Sequence, residues 1–175
     1  RNALKTPEER SKLILAEGGH YSLDADRFEL DVDWFDALVA AAQTADGDEA
    51  ESLLQQAVAL YRGPYLDSFW YPWVVPEQER LREAFCHALT ALEQKSAAQH
   101  DFESALSYAR QRLKADPLQE AAHRAVMRHA AQLGDRAGVL RQFHQLQTIL
   151  RDELGVAPSA ATEQLVRELT QGAQD

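Results

Sequence analysis

Asp101-Phe102-Glu103-Ser104-Ala105-Leu106 and, 34 residues later, Asp135-Arg136-Ala137-Gly138-Val139-Leu140 are the two stretches that decide the fold. Each opens on an aspartate suited to cap a helix and continues into small and apolar residues at helical spacing. Leu106 and Leu140 keep the same offset, and Ala109 corresponds to Phe143. Gly134-Asp135 stops one helix and caps the next.

A period of 34 residues is that of the tetratricopeptide repeat, a stack of antiparallel helix pairs. Ala105 and Pro117 lie 12 apart, matching the small-residue and helix-terminating Pro positions of such a repeat, although the second copy lacks that Pro. Gly47-Asp48, followed by Ala50, Leu53 and Ala57, is a weaker third copy. An irregular helical bundle with coincidental spacing is the competing reading.

Working outward, apolar stripes recur along most of the chain. Trp34, Phe35, Leu38, Val39 and Ala42 line one face behind Asp31 or Asp33 as N-cap. Ala50, Leu53, Leu54, Ala57, Leu60 and Tyr61 line a second helix ending near Gly63-Pro64, and Leu81, Phe85, Ala88 and Leu92 a third, with Pro76 in its first turn. Phe102, Leu106, Ala109 and Leu113 form the fourth. Asp116-Pro117-Leu118-Gln119 opens the fifth, with Asp116 as cap, Pro117 at the first helical position and Gln119 reaching back. Leu118, Ala122, Val126, His129 and Leu133 follow, then Val139, Phe143, Leu146, Leu150 and Leu154 up to Gly155. Pro158-Ser159 opens a seventh helix with Leu165, Val166 and Leu169. The expected fold class is all-α. One stretch alone reads as β structure, Leu13-Ile14-Leu15, Gly18-Gly19 and His20-Tyr21-Ser22-Leu23, a hairpin signal.

The 175 residues carry a net charge of −10, and 45% are hydrophobic. That composition supports a buried core and argues against a self-sufficient nucleic-acid binder, which needs clustered cations. The acidity is local: residues 24–52 hold −9, residues 1–23 hold +1 and residues 53–175 hold −2. No apolar run is long enough to span a membrane. Cys86 alone can form neither an internal disulfide nor a cysteine zinc site, and a reducing, cytoplasmic setting is expected. Arg1 in place of Met suggests a fragment of a longer protein or a processed chain.

No phosphate-binding glycine loop, metal-binding H-E-x-x-H or nucleophile elbow occurs. Cys86 and His87 diverge by about 100° on a helix and cannot pair with each other. Cys86 and His129 read as packing residues, and no acidic pair is singled out by an apolar setting. No enzyme activity, catalytic set, metal or cofactor is expected.

Binding is a better fit. The segment from Tyr61 to Trp73 has six aromatic residues in thirteen, in a connection between helices. It reads either as a loop plugging the bundle with Trp70 or Trp73, or as a partner or ligand pocket built around such rings as Tyr65, Trp70 and Trp73. Arg110 and Lys114, and Arg124 and Arg128, are i,i+4 pairs that stacked helices could merge with Arg112 into a patch for an acidic segment or a phosphate. Solvated helix faces are the alternative. Residues 1–12 carry Arg1, Lys5, Arg10 and Lys12 against Glu8 and Glu9.

Five segments in order resemble one family. They are Leu60-Tyr61-Arg62-Gly63 with Trp73; Glu77-Gln78-Glu79-Arg80-Leu81-Arg82; Asp116-Pro117-Leu118-Gln119-Glu120 with His123-Arg124; Gly134-Asp135-Arg136-Ala137; and Glu153-Leu154-Gly155-Val156-Ala157-Pro158-Ser159. Over about residues 31–170 the chain resembles the bacterial transcriptional activator domain of the Streptomyces antibiotic regulatory protein family and related regulators. The resemblance implies a helical, tetratricopeptide-like domain over residues 31–175 that dimerises or contacts the transcription machinery, RNA polymerase included, and often transmits regulation. It also implies that residues 1–30 are the C-terminal remnant of a winged helix-turn-helix DNA-binding domain. Lys12 to Leu23 would be its last hairpin, with Lys5, Arg10, Lys12, His20 and Tyr21 as DNA-contacting residues. DNA would then be reached only through a domain upstream. The alternative is a generic tetratricopeptide-like adaptor for a peptide or a small-molecule effector.

Overall fold

The computed structural model describes residues 14–17, 20–23, 30–69 and 71–171. Helices dominate: α1 (Asp31–Thr44), α2 (Gly47–Leu60), α3 (Val74–Ala98), α4 (Phe102–Ala115), α5 (Glu120–Gln132), α6 (Arg136–Leu154) and α7 (Ala160–Gln171). Each packs against the next in the chain, and α7 also touches α5. Two four-residue strands, β1 (Ile14–Glu17) and β2 (His20–Leu23), pair antiparallel with Ile14 opposite Leu23 and Glu17 opposite His20. That pairing by itself assigns the segment to no particular parent domain, and the preceding residues, with Lys5, Arg10 and Lys12, lie outside the described ones.

The 34-residue period is written into the turns. After α3, the Asp101 amide donates to Ser96 O at 2.9 Å and that of His100 to Ala97 O at 3.0 Å. After α5, Asp135 donates to Ala130 O and Gly134 to Ala131 O, each at 2.9 Å. Asp101 then accepts from the Ser104 amide at 3.0 Å and Asp135 from the Gly138 amide at 2.7 Å. Both satisfy an orphan amide of the following helix. A Cβ on Gly138 would fall 2.2 Å from the Asp135 carboxylate, so a side chain there would force the capping carboxylate to shift; the first copy makes its longer cap bond, 3.0 Å, to Ser104.

Two expected caps differ. Neither Asp31 nor Asp33 caps α1; the N-cap is Leu30, and both acids sit inside the first turn, where they complement the helix dipole. α5 begins at Glu120, not at Pro117, because Asp116 closes a separate turn by accepting from the Leu118 amide. Gln119 is the N-cap but makes no side-chain cap bond; its Oε1 accepts from Arg112 instead.

The core runs along the stack in three patches. Phe35, Ala57, Leu81, Phe85 and Leu89 join α1, α2 and α3. Leu106, Ala109, Ala125 and Val126 join α4 to α5, and Met127, Ala130, Val139, Leu165 and Val166 join α5, α6 and α7. The stripes hold for the central helices. Trp34, Leu118, Leu133 and Leu154 are exposed, in contrast to their expected inward placement. Trp34 occupies the first turn of α1, Leu118 the turn before α5, and Leu133 and Leu154 helix ends, where the stripe runs past the neighbour. Polar staples fix the order of the stack. Arg80 forks onto Asp36 at 2.8 and 3.0 Å, and Lys95 reaches Glu51 at 2.8 Å. Glu120 accepts from the Ser159 amide and from the Thr162 hydroxyl at 2.6 Å, holding the start of α7 against α5.

Candidate functional site

The connection between α2 and α3 is folded down at its start and turned outward at its end. Tyr61 stacks on Phe85 with centroids 4.0 Å apart and lies 6.3 Å from Phe35. Burial pushes its phenol above the ordinary range. Tyr65 packs half-buried on the same cluster, and its carbonyl accepts from Gln78 Nε2 at 2.6 Å, which pins the segment to α3. Tyr61 therefore plugs the bundle. Trp73, expected as one possible plug, is 60% exposed, with Phe69 at 52% and Tyr71 at 54%. Phe69 and Tyr71 stack at 6.4 Å, and Tyr71 and Trp73 at 6.3 Å. Leu66 and Val75, nearby in the chain, are exposed as well. Trp70 lies outside the described residues.

Two open cavities flank Tyr61-Arg62-Gly63-Pro64. One, about 440 Å³, lies toward α1 and is lined by Asp31, Asp67 and Arg62 among apolar residues. The other, about 470 Å³, lies between the segment, α3 and the end of α4, with Arg62, Arg82, Lys114 and Glu79 in its lining.

The five expected cations do not form one patch. Arg110, Lys114 and Arg128 are exposed. Arg124 is half-buried, donating to Thr162 Oγ1 at 3.0 Å. Arg112 is a correction: it is buried, with Nη1 on Glu93 Oε2 at 2.6 Å and Nη2 on Gln119 Oε1 at 2.7 Å. The other Glu93 oxygen accepts from His129 Nε2 at 3.0 Å. Burial pushes the Glu93 carboxyl up, but His129 and Arg112 outweigh it and hold the carboxyl below its ordinary range. Only the repeat offset marks Glu93 in the sequence, as an acid where the second copy has Met127.

Cys86 is buried, and burial pushes its thiol up, which disfavours the nucleophilic thiolate. Among the described residues, no group of His, Cys, Asp and Glu could hold a metal, and no helix is long and apolar enough to cross a membrane. The backbone of His20 and Tyr21 lies in β2.

The described residues form a repeat-like helical stack with an exposed aromatic segment. Residues 30–170 match the family described as the bacterial transcriptional activator domain, and the chain belongs to that family, a domain of transcription regulators. No curated protein matches it. The fold is similar to that of Mycobacterium tuberculosis EmbR, solved in complex with a low-affinity phosphopeptide, with a TM-score of 0.61 and 20% identity. The similarity covers 94% of this chain and 45% of that one, so the chain spans about half the length of that protein.

Proposed function

We propose that residues 31–175 are the interaction domain of a cytoplasmic transcription regulator, engaging protein partners by self-association or by contact with RNA polymerase. The observation that carries this reading is the ladder of Phe69, Tyr71 and Trp73. Three stacked rings, each more than half exposed, stand on a segment held down by Tyr61 and Gln78. Exposed apolar patches of this kind mark interaction sites, and large aromatic residues anchor them at low entropic cost. In the same reading residues 1–30 are the end of a winged DNA-binding domain, with Lys5, Arg10, Lys12, His20 and Tyr21 near the DNA in the parent protein.

The test is a triple substitution, Phe69→Ser, Tyr71→Ser and Trp73→Ser. Sedimentation velocity reads self-association, and co-purification with RNA polymerase reads the other contact. Loss of at least one association with an unchanged far-ultraviolet spectrum is expected. Retention of both at wild-type strength, or absence of both from the wild-type protein, overturns the reading.

A further inference from the structure

The cavity between Arg62, α3 and the end of α4 differs from its neighbour in charge. Three cations, Arg62, Arg82 and Lys114, face it with one carboxylate, Glu79. Arg82 is already engaged: it forks onto Glu79 and donates to Asp116 Oδ2 at 2.7 Å. Arg82 is thus shared by two carboxylates and is spent on them, whereas neither Arg62 nor Lys114 has an acidic partner among the described residues. The cavity toward α1 has the opposite balance, two carboxylates against Arg62. In a chain of net charge −10, two cations without an acidic partner among the described residues stand out at one concave site.

The rest of the lining is mostly apolar: the Tyr61–Phe85 stack, Pro64, Val75 and Ala115, with Gln78 and Gln111 as its uncharged polar members. The volume, about 470 Å³, lies in the range of small-molecule sites. Apolar walls with a few convergent charged groups are the usual composition of such sites, the charge setting orientation and the walls supplying affinity.

We propose that this cavity binds a small organic anion, an aromatic or other planar apolar body carrying a single carboxylate, sulfonate or phosphate. The body lies against Val75, Pro64 and the Tyr61–Phe85 stack, and Arg62 and Lys114 meet the acid group.

The test uses two fluorescent probes of nearly equal shape, 8-anilinonaphthalene-1-sulfonate and the uncharged N-phenyl-1-naphthylamine, titrated against the folded protein at fixed ionic strength. The sulfonate is expected to bind at one site, at least tenfold more tightly than the neutral probe. The double substitution Arg62→Glu and Lys114→Glu is expected to weaken it at least tenfold, and Arg62→Gln with Lys114→Gln severalfold. Both cations are exposed, so the unfolding midpoint stays at the wild-type value. Arg128→Glu, away from the cavity, and Tyr71→Ser, on the ladder, leave binding unchanged. Equal binding of the two probes, no loss on charge reversal, or a loss with Arg128→Glu or Tyr71→Ser as large as that with the cavity variant overturns the proposal.

Discussion

The hairpins α3–α4 and α5–α6 share one backbone plan and fill it differently. Positions 93 and 112 of the first correspond, 34 residues on, to positions 127 and 146 of the second. The first holds a buried Glu93–Arg112 ion pair; the second holds Met127 and Leu146, both fully buried. The same frame thus accepts a charged layer or an apolar one. In the charged layer Arg112 Nε is buried without a partner. Desolvating two charges offsets much of their attraction, and apolar replacement of a whole buried pair is often neutral or stabilising.

The strongest break of this comparison is to remove one member of the pair. Glu93→Met or Arg112→Leu alone strands the opposite charge and should cost about 3–5 kcal/mol in urea unfolding. The double variant, which copies the second hairpin, should lose less than either single one, even though His129 gives up its acceptor. A double variant as unstable as the two single losses added together would show that the two hairpins are not interchangeable at this layer.

Leu106 and Leu140 also occupy corresponding positions, but Leu106 is 8% exposed and Leu140 is 40% exposed. α4 is covered by α5 on the face where α6 presents Leu140 outward. Leu106→Ala should cost about 2–5 kcal/mol, and Leu140→Ala less than about 1 kcal/mol, the range of surface changes. Similar losses from both would mean that Leu140 is covered in solution, as by a partner.

A third contrast is Leu89 against His123, again corresponding and both fully buried. His123 is held neutral: Nε2 donates to Pro117 O at 2.9 Å, and Nδ1 accepts from Gln142 at 2.7 Å. Burial depresses its pKa, with the Pro117 bond opposing. The unfolded chain therefore binds the proton more readily. Stability present above about pH 6.5 falls as the pH drops towards the folded value, by at most about 1.4 kcal/mol per pH unit. Glu93 acts lower: its folded pKa is depressed, so its contribution is present above its unfolded value and is lost as the pH falls through the folded one. Unfolding of His123→Leu at pH 7, 6 and 5 should show a flatter slope than the wild type. An identical slope would place the titration elsewhere.

These contrasts also mark what the sequence could reveal. Turn grammar is local: Asp101, Asp135 and Gly134 beside the latter are readable because a cap or a left-handed stop depends on a few adjacent residues. The order of the seven helices among the described residues follows from the same signals. The ion pair is not local, since Glu93, Arg112 and His129 come from three helices: Glu93 and Arg112 each alone look like surface residues, and His129 reads as a packing residue with no partner named. The aromatic segment is legible in composition but not in direction. Six rings announce a structural or binding role, yet only tertiary contact decides that Tyr61 points inward and Trp73 outward. Arg112 illustrates the same limit, because its i−2 and i+2 neighbours Arg110 and Lys114 suggest a solvated stripe while its own face meets α3.

The smallest contrast tests whether the two turns are energetically one motif. His100 and Gly134 hold the same place with φ of 61° and 75°. A side chain in that left-handed conformation costs on the order of 1 kcal/mol, and glycine avoids it. Glycine also raises the entropy of the unfolded chain, which opposes the gain by about 0.4–1 kcal/mol. His100→Gly further loses an edge contact with the Phe102 ring, 5.8 Å away. The net gain should therefore lie between about zero and 0.5 kcal/mol. Gly134→Ala meets no atom within 4 Å, so its effect is conformational alone. There strain and unfolded-state entropy work against each other in reverse, and a net loss of about 0.5 kcal/mol or less is expected. Opposite signs from the two variants in matched urea titrations would show equivalent turns. A loss from His100→Gly larger than that from Gly134→Ala would mean that the His100–Phe102 contact, not backbone conformation, holds the first turn.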